Sequence, residues 1–327
     1  MIYSLIFISG IGLGFFVSLS RLSSPFKGEL HEGSDGFTNP LLECEFGENY
    51  ISKGALKPFK IKAETYINGI IAEKKASTVS LYFRDLNNGP WFGINEDENF
   101  FPASLMKVPT MITILRMAEK NPNMLEKIIE FAKGDTASNQ YFKPSDAVQV
   151  GKSYTVRELI ERMIIQSDNN ATALLVETID EENLKKIYTE LGINIPFKEL
   201  RDYITTKRYA SFFRILFNAS YLSRFSSEEA LRLLSSIEFT EGIRAGVPLN
   251  IIVSHKFGEQ QKTQQTNSEE KQLHDCGIVY YPKHPYILCI MTRGTDFKQL
   301  AGVLRDISRF VFDEVDHQVG GGVIKIK

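Results

Sequence analysis

Segments with strand-like patterns occur near both ends of the folded part of this sequence, and a long helical block separates them. The strand candidates are residues 79–85, 91–95, 249–258, 277–281 and 286–292. Turn chemistry at 87–90 and 282–285 joins the first pair and the last pair. Because an isolated pair of strands is marginally stable, we expect the two ends to meet in one antiparallel sheet.

Helical periodicity fills the middle of the chain and flanks the strands. The helix candidates are residues 59–76, 104–120, 124–131, two helices within 155–179, and 182–191, 207–222, 227–236 and 296–315. Five residues of the first are spaced to bury one face: Ile61, Tyr66, Ile67, Ile70 and Ile71. The pattern predicts an α/β protein of the α+β type, with its sheet covered by the first and last helices.

The middle helices then form a second, all-helical lobe, and a cleft between two lobes is a natural site for chemistry. We expect residues 59–327 to form one two-lobed domain, preceded by a linker at 25–58 and a membrane anchor or signal segment at 1–24. The sheet lobe would contain 59–103 and 240–327, and the helical lobe would contain 104–239.

The amino-terminal segment 2–20 carries no charge and is long enough to span a bilayer. A signal peptide is the alternative, because Ser18-Leu19-Ser20 is a small-x-small triplet of the kind that is cleaved. The basic residues Arg21 and Lys27 follow the segment, which by the positive-inside rule favours a cytoplasmic domain, but long domains often translocate regardless. We expect a membrane-anchored or secreted domain, exported to the cell-wall side of a bacterial membrane.

Composition excludes several classes of protein. A net charge of −2 gives no indication of nucleic-acid binding. The chain has three cysteines, and a small, odd number does not indicate a disulfide framework. Cys276 and Cys289 are expected to be buried thiols. The five histidines show no metal-binding spacing, so neither a metal nor another cofactor is expected.

Ser104 and Lys107 stand in an apolar stretch, FFPASLMKVPTMI. Residues three apart share a helix face, so the Lys107 amine is expected to reach the Ser104 hydroxyl. A serine needs a base to act as a nucleophile, and lysine becomes one when burial or a second cation lowers its pKa. The alternative is an amphipathic lysine whose amine lies in water.

Two downstream motifs favour the chemical reading of this pair. Ser167-Asp168-Asn169 and then Lys256-Phe257-Gly258 follow in the same order as the serine–lysine, S-D-N and K-T-G motifs of the penicillin-recognising serine enzymes. Over about residues 59–317 the chain resembles a class A β-lactamase-type serine hydrolase. The stretches 151–175 and 243–258 resemble the family's approaches to the second and third motifs.

The resemblance implies acyl transfer, with Ser104 as nucleophile and Lys107 as its base. Ser167 would pass a proton to the leaving nitrogen, and Asn169 would bind the substrate's amide. On the third motif, Lys256 would attract a substrate carboxylate and Gly258 would precede Glu259, whose backbone N–H would join that of Ser104 in an oxyanion hole. Asp168 is expected to hold its loop by hydrogen bonds to the backbone.

The sequence departs from the family at three positions. Phe257 replaces the usual threonine, and Cys276 stands where many members have an arginine, so two contacts to a substrate carboxylate are lost unless Arg293 or a nearby lysine substitutes. The region 195–207 is shorter than the family's deacylation loop and lacks its E-x-x-L-N pattern. Glu199 is a possible deacylation base there, and the alternative is a solvated surface glutamate.

Three functions remain open at this point. The first is a β-lactamase-like hydrolase that degrades β-lactam antibiotics. The second is a D,D-peptidase or penicillin-binding protein acting on peptidoglycan stem peptides, and the third is a β-lactam-binding sensor domain without turnover. In each case the expected partner is a small β-lactam or a peptidoglycan peptide, with membrane contact through residues 2–20, no nucleic acid, and a monomeric chain.

Overall fold

The computed structural model describes most of the chain. It covers residues 36–39, 56–87, 89–133, 140–179, 181–193, 202–261 and 270–319. Within these ranges, no helix combines the length and the apolar composition that crossing a bilayer requires. The apolar segment predicted at residues 2–20 lies outside the described residues.

Strands from both ends of the described chain form one five-stranded antiparallel sheet. In chain order the strands are β1 (Thr78–Asp85), β2 (Trp91–Ile94), β3 (Ile128–Glu130), β4 (Ser153–Thr155), β5 (Val253–Gln260), β6 (Lys271–Val279) and β7 (Tyr286–Gly294). The large sheet has the order β2-β1-β7-β6-β5, while β3 and β4 form a separate two-stranded ribbon. The predicted α+β fold is therefore confirmed, and β5 is an edge strand.

Two strand boundaries differ from the predictions. Strand β6 begins at Lys271, six residues before the predicted segment 277–281, because its first residues are polar and look like loop. The Gln272 side chain finds hydrogen-bond partners in the folded strand. Its Oε1 accepts from Phe101 N at 3.0 Å and its Nε2 donates to Asp202. Strand β5 begins later than predicted, and Leu249, at the start of the predicted segment, is 94% exposed.

Helices lie on both sides of the sheet. They are α1 (Lys57–Ala72), α2 (Lys107–Lys120), α3 (Val156–Ile165), α4 (Asn169–Glu177), α5 (Glu181–Glu190), α6 (Thr206–Phe217), α7 (Arg224–Ser235) and α8 (Phe297–Val319). Helix α3 begins with a capping box, in which Thr155 Oγ1 accepts from Glu158 N and Glu158 accepts from Thr155 N. This box fixes the start of the helix that leads to Ser167.

Two helix predictions were wrong in detail. The segment 124–131 was expected to be a short helix, but a 3₁₀ turn ends at Glu126 and β3 follows, since pairing with β4 overrides the local preference. In α1, Ile61 is 52% exposed and Tyr66 is 37% exposed. The buried stripe of α1 consists of Phe59, Ala63, Ile67 and Ile70.

The two faces of the large sheet contact different helices. On one face, Phe83 of β1 packs against Phe59 of α1, with ring centroids 5.1 Å apart. On the other face, the Ser80 hydroxyl lies 2.8 Å from the Thr206 hydroxyl at the start of α6. Alternate residues of a strand point to opposite faces, so α1 and the helical lobe are separated by the sheet.

Strand register carries the second face across to β5. Tyr82 lies two residues from Ser80 and therefore on the same face of β1. It pairs with Cys289 of β7, and Cys289 pairs with Cys276 of β6. Cys276 in turn pairs with Lys256 of β5. Directly opposed residues share a face. Lys256 therefore points from the edge strand toward the helical lobe.

Cys276 and Cys289 form a disulfide, so the prediction that both are buried thiols was wrong. They are register partners on β6 and β7, and their Cα atoms lie 3.9 Å apart. Sparse cysteines in a sequence do not reveal which strand positions will face each other. The turn between β6 and β7 sets that register.

Candidate active site

Ser104 lies in a 3₁₀ turn, Ala103–Met106, that leads into α2 and packs directly against strand β5. Ala103 has a backbone φ of +48°, a left-handed conformation that a residue with a Cβ rarely adopts. On the strand, Gly258 approaches so closely that an added Cβ would lie 2.8 Å from Pro102 O. Only glycine permits this backbone contact, which places the Ser104 turn against the edge strand.

The Lys107 amine points to the motif at 167–169 and not to Ser104. Its Nζ donates to Ser167 O at 2.5 Å, to Ser167 Oγ at 3.1 Å and to Asn169 Oδ1 at 2.8 Å. Ser104 Oγ makes no hydrogen bond with a described residue, so the direct contact expected from their spacing is absent. Three acceptors match the three protons of an ammonium group, and this explains why the amine is drawn across the cleft.

The turn at 167–169 is held in place by the Asp168 carboxylate. Its Oδ1 accepts from Asn170 N at 2.7 Å and from Ala171 N at 3.2 Å, which caps α4, and its Oδ2 accepts from Val148 N at 2.7 Å. The predicted structural role of Asp168 is thereby observed. Ser167 itself has a φ of +56° and no exposed surface, a strained conformation of the kind that concentrates at functional sites.

Lys256 completes a buried row of polar groups. Its Nζ donates to Ser167 Oγ at 2.9 Å, so this hydroxyl lies between two lysine amines. Lys256 has no exposed surface, and Lys107 is 3% exposed. The structure thus brings together Lys107, Ser167, Asn169 and Lys256 next to the turn that carries Ser104.

Burial changes the protonation of both amines. Desolvation lowers the pKa of Lys107 to about 7, against the opposing effect of Asp168 and Glu259. Desolvation also holds the pKa of Lys256 well below its ordinary value, and the charge of Lys107 lowers it further. Burial is therefore the main cause of the low pKa of Lys107.

The Asn169 side-chain amide uses its oxygen in a hydrogen bond, while its nitrogen is available to a ligand. Its Oδ1 accepts from Lys107, while its Nδ2 makes no hydrogen bond with a described residue. The residue is only partly buried. Its amide N–H groups can therefore bind an acceptor such as a carbonyl oxygen, which is the contact that the sequence predicted for it.

The Glu259 side chain closes the site on the β5 side. Its Oε1 accepts from Tyr141 N at 2.7 Å and its Oε2 accepts from Phe142 N at 3.2 Å. Desolvation raises the pKa of this carboxyl, while the two N–H donors and both site lysines lower it. Sequence reasoning used only the backbone N–H of Glu259 and missed the carboxylate, which joins β5 to the loop at 140–142.

Gln140 is a second site residue that the sequence did not indicate. Its Nε2 donates to Ser167 O at 3.1 Å, the oxygen that also accepts from Lys107. The residue belongs to the polar, irregular part of 121–150, where no motif distinguishes it from its neighbours. Its contact follows from the way the loop folds over the cleft.

Arg293, the arginine predicted to substitute for a missing anchor, is engaged away from the site. Arg293 donates to Glu98 at 2.7 Å and to Asp202 at 2.9 Å, and it stacks over Phe100. Its charge is thus balanced by carboxylates near the far end of β7. Glu199, the predicted deacylation base, lies outside the described residues. Among those that are described, no cluster of His, Cys, Asp or Glu could hold a metal ion.

The architecture is shared with a solved β-lactamase structure. A variant of the reconstructed class A β-lactamase of the last common ancestor of Gram-negative bacteria superposes with a TM-score of 0.65 at 22% identity, covering 79% of this chain and 99% of that one. This similarity shows the fold. The chain therefore has the fold of the class A β-lactamases.

Sequence comparison gives the family. The chain belongs to the beta-lactamase enzyme family, whose sequence model matches residues 62–315. A β-lactamase of Bacteroides uniformis is 24% identical over 275 residues, covering 76% of this chain and 90% of the relative. The D-alanyl-D-alanine carboxypeptidase DacF of Bacillus subtilis (strain 168) is 29% identical over 143 residues, covering 41% and 35%.

Proposed function

We propose that the protein hydrolyses β-lactams through an acyl-enzyme formed on Ser104. The observation that carries the proposal is the buried row Lys107–Ser167–Lys256, which lies beside the turn bearing Ser104. A row of this kind supplies both a base for the nucleophile and a proton for the leaving group. Membership of the beta-lactamase family supports the choice of substrate.

In the first step, Ser104 Oγ attacks the lactam carbonyl and its proton passes to the neutral amine of Lys107. A lysine with a pKa of about 7 is unprotonated in a large share of molecules at neutral pH. To accept the proton, the amine releases one of its three present hydrogen bonds and turns its lone pair to Ser104.

In the second step, the carbon–nitrogen bond breaks as the nitrogen receives a proton. Ser167 Oγ gives its own proton to the lactam nitrogen and takes one from the Lys107 ammonium, with which it already shares a hydrogen bond. Lys256 holds the same hydroxyl from the β5 side at 2.9 Å. The ester on Ser104 then reacts with water, which returns the free enzyme.

The carbonyl oxygen becomes negatively charged during attack and needs donors aimed at it. We assign these to the backbone N–H groups of Ser104 and Glu259, because the Ser104 turn packs against β5 at Gly258 and β5 is an edge strand. Loss of one such donor typically costs ~2.7–4 kcal/mol of transition-state stabilisation. Asn169 Nδ2 would bind the amide carbonyl of the substrate.

The test uses the full-length chain with a fluorescent penicillin and a chromogenic cephalosporin. We expect covalent labelling and sustained colour from the wild type, and neither from Ser104→Ala. Ser77→Ala is the matched control, since Ser77 is an exposed serine that binds Glu270 outside the cleft. Labelling that persists in Ser104→Ala, or its absence from the wild type, would contradict the proposal.

A second candidate function is a D,D-peptidase that acts on stem peptides ending in D-Ala-D-Ala. The similarity to the DacF carboxypeptidase favours it. The same experiment separates the two, because a peptidase would hold a stable penicillin label, give no colour and release D-alanine from a stem peptide. A stable label without release would indicate a sensor domain.

We also propose that the domain is exported to an oxidising compartment. The Cys276–Cys289 disulfide supports this location, because disulfides persist outside the reducing cytosol and are rare within it. The uncharged amino-terminal segment 2–20 would direct the export, as an anchor or a cleaved signal. Fractionation of bacterial cells expressing the full chain, with protease added to the outside, tests the proposal.

A further inference from the structure

The ionisable groups around Lys107, Ser167 and Lys256, hereafter the catalytic row, leave no surplus positive charge for a substrate carboxylate. Two buried amines, Lys107 and Lys256, interact with three carboxylates, Asp168, Glu259 and Asp275. Both oxygens of Glu259 accept N–H groups, which is the pattern of an ionised carboxylate. A substrate carboxylate would be repelled by Glu259 at short range, in surroundings where charges are poorly screened.

The strand position next to Lys256 is apolar instead of hydroxyl-bearing. Phe257 is 3% exposed and stacks on Phe239 with ring centroids 4.2 Å apart, and Phe142 meets it edge-on at 5.8 Å. Phe142 is also the residue whose N–H binds Glu259. Phe142 therefore connects the Phe257 ring to the Glu259 carboxylate, beside the catalytic row.

These three aromatic rings line a cavity of about 460 Å³, hereafter the aromatic cavity. Ile165 and Gln166, which directly precede Ser167, also line it. The Gln166 Oε1 atom is buried without a hydrogen-bond partner among the described residues, so it would accept a donor and repel an anion. In the sequence, the lining residue Gln166 directly precedes Ser167, and the lining residue Phe257 directly follows Lys256.

Charged groups in the walls of the aromatic cavity balance each other. Lys143 and Lys298 are matched by Glu238 and Glu241, and Glu238 accepts from Ser145 Oγ at 2.6 Å. A cavity that combines aromatic rings with balanced charges can receive an uncharged, flat group. It gives an anion no compensation for the loss of water.

We propose that the site selects substrates that carry an uncharged aromatic substituent, in place of a free carboxylate, beside the reactive carbonyl, and that the aromatic cavity receives this substituent. Glu259 weakens binding of the carboxylate without preventing it, and Phe257, Phe239 and Phe142 bind the ring. The inference rests on the proposed function for its reactive carbonyl.

The test compares three forms of one chromogenic cephalosporin: the free carboxylate, its methyl ester and its benzyl ester. Equilibrium binding is measured by titration calorimetry on full-length Ser104→Ala, which keeps the site but removes the nucleophile. We expect the methyl ester to bind about tenfold more tightly than the carboxylate, and the benzyl ester to bind more tightly again, a factor of ten being ~1.4 kcal/mol. Equal or stronger binding of the carboxylate overturns the proposal.

Two further variants separate charge from shape. Glu259→Gln in the same background removes the negative charge, so it should strengthen binding of the carboxylate about tenfold and leave the methyl ester nearly unchanged. Thr240→Trp fills the aromatic cavity from an exposed wall position and should weaken only the benzyl ester. Thr65→Trp, on an exposed site of α1, is the matched control.

The outcomes distinguish this inference from the proposed function. If the esters bind in the expected order but wild-type Ser104 is never acylated, the hydrolase proposal fails and the selectivity stands. If Ser104 is acylated fastest by the free carboxylate, or Thr240→Trp does not affect the benzyl ester, the selectivity proposal fails and the hydrolase stands.

Discussion

Lys256 donates a hydrogen bond of 2.9 Å to Ser167 Oγ, and neither side chain has any exposed surface. One residue belongs to the edge strand of the sheet, and the other lies in the turn between helices α3 and α4. The bond therefore joins the two lobes at the point where Lys107 also enters. Because the amines are buried together, the site can hold a neutral lysine at physiological pH.

The rate of acylation should depend on pH with a midpoint near 7. The base must be the neutral form of Lys107, and the pKa of this amine is lowered to about 7. Below that pH the rate should fall about tenfold per unit, since the neutral fraction falls by that factor, and above it the rate should level off. Labelling by a fluorescent penicillin from pH 5 to 9 measures this. A flat profile would exclude Lys107 as the base.

The control for that profile is Lys107→Met, which replaces the amine with an apolar group of similar length. Loss of a general base typically costs about 10²- to 10⁴-fold. We expect labelling to slow by such a factor and to lose its midpoint near 7. A variant that keeps the wild-type profile would assign the midpoint to another group.

Folding stability should rise with pH because of the same lysine. In the unfolded chain its pKa is about 10.4, whereas in the folded protein it is about 7. Between these values the unfolded state binds more protons, so the free energy of unfolding increases by up to ~1.4 kcal/mol per pH unit. Urea unfolding at pH 7, 8 and 9 should show a steeper rise for wild type than for Lys107→Met. Parallel curves would contradict the lowered pKa.

Most of the fold could be predicted from the sequence, because alternating and helical patterns reflect burial. The sheet built from both ends is such a case, as is the helix break at Ser167. The start of β6 at Lys271 could not be predicted, since polar strand residues find their partners only in the folded state. The same applies to β3, whose pairing with β4 is not a local property.

The part of the site formed by motif residues could be predicted from the sequence. The part formed by loop contacts could not. The spacing and order of the motifs pointed to Lys107, Ser167 and Lys256, and the structure places both amines within hydrogen-bond reach of the Ser167 hydroxyl. The prediction that the Lys107 amine contacts Ser104 was wrong. The amine binds three acceptors at residues 167 and 169, and these outweigh the single hydroxyl of Ser104 on its own turn. The Glu259 carboxylate and its loop partners follow from a long-range contact that no pattern encodes.

Replacing Gly258 with alanine should impair acylation while the protein remains folded. The added Cβ would lie 2.8 Å from Pro102 O and 3.0 Å from Leu105 N, both backbone atoms of the Ser104 turn, so the strand must shift. That shift moves the N–H of Glu259 relative to Ser104, and we expect labelling to slow at least about tenfold. Gly69→Ala is the control, because its Cβ would meet nothing within 4 Å. Equal labelling rates for both variants would contradict the geometry.

The Cys276–Cys289 disulfide should stabilise the sheet beside the active site. It links adjacent strands and closes a loop with a sequence separation of 13, for which restriction of the unfolded chain typically contributes ~2–4 kcal/mol. The double variant Cys276→Ser, Cys289→Ser should lose about that much, and its melting temperature should not respond to reductant, unlike that of wild type. Cys44→Ser should behave like wild type in both respects. If reductant left the wild-type melting temperature unchanged, the two cysteines would be free thiols at register partners, and the proposed export would lose its structural support.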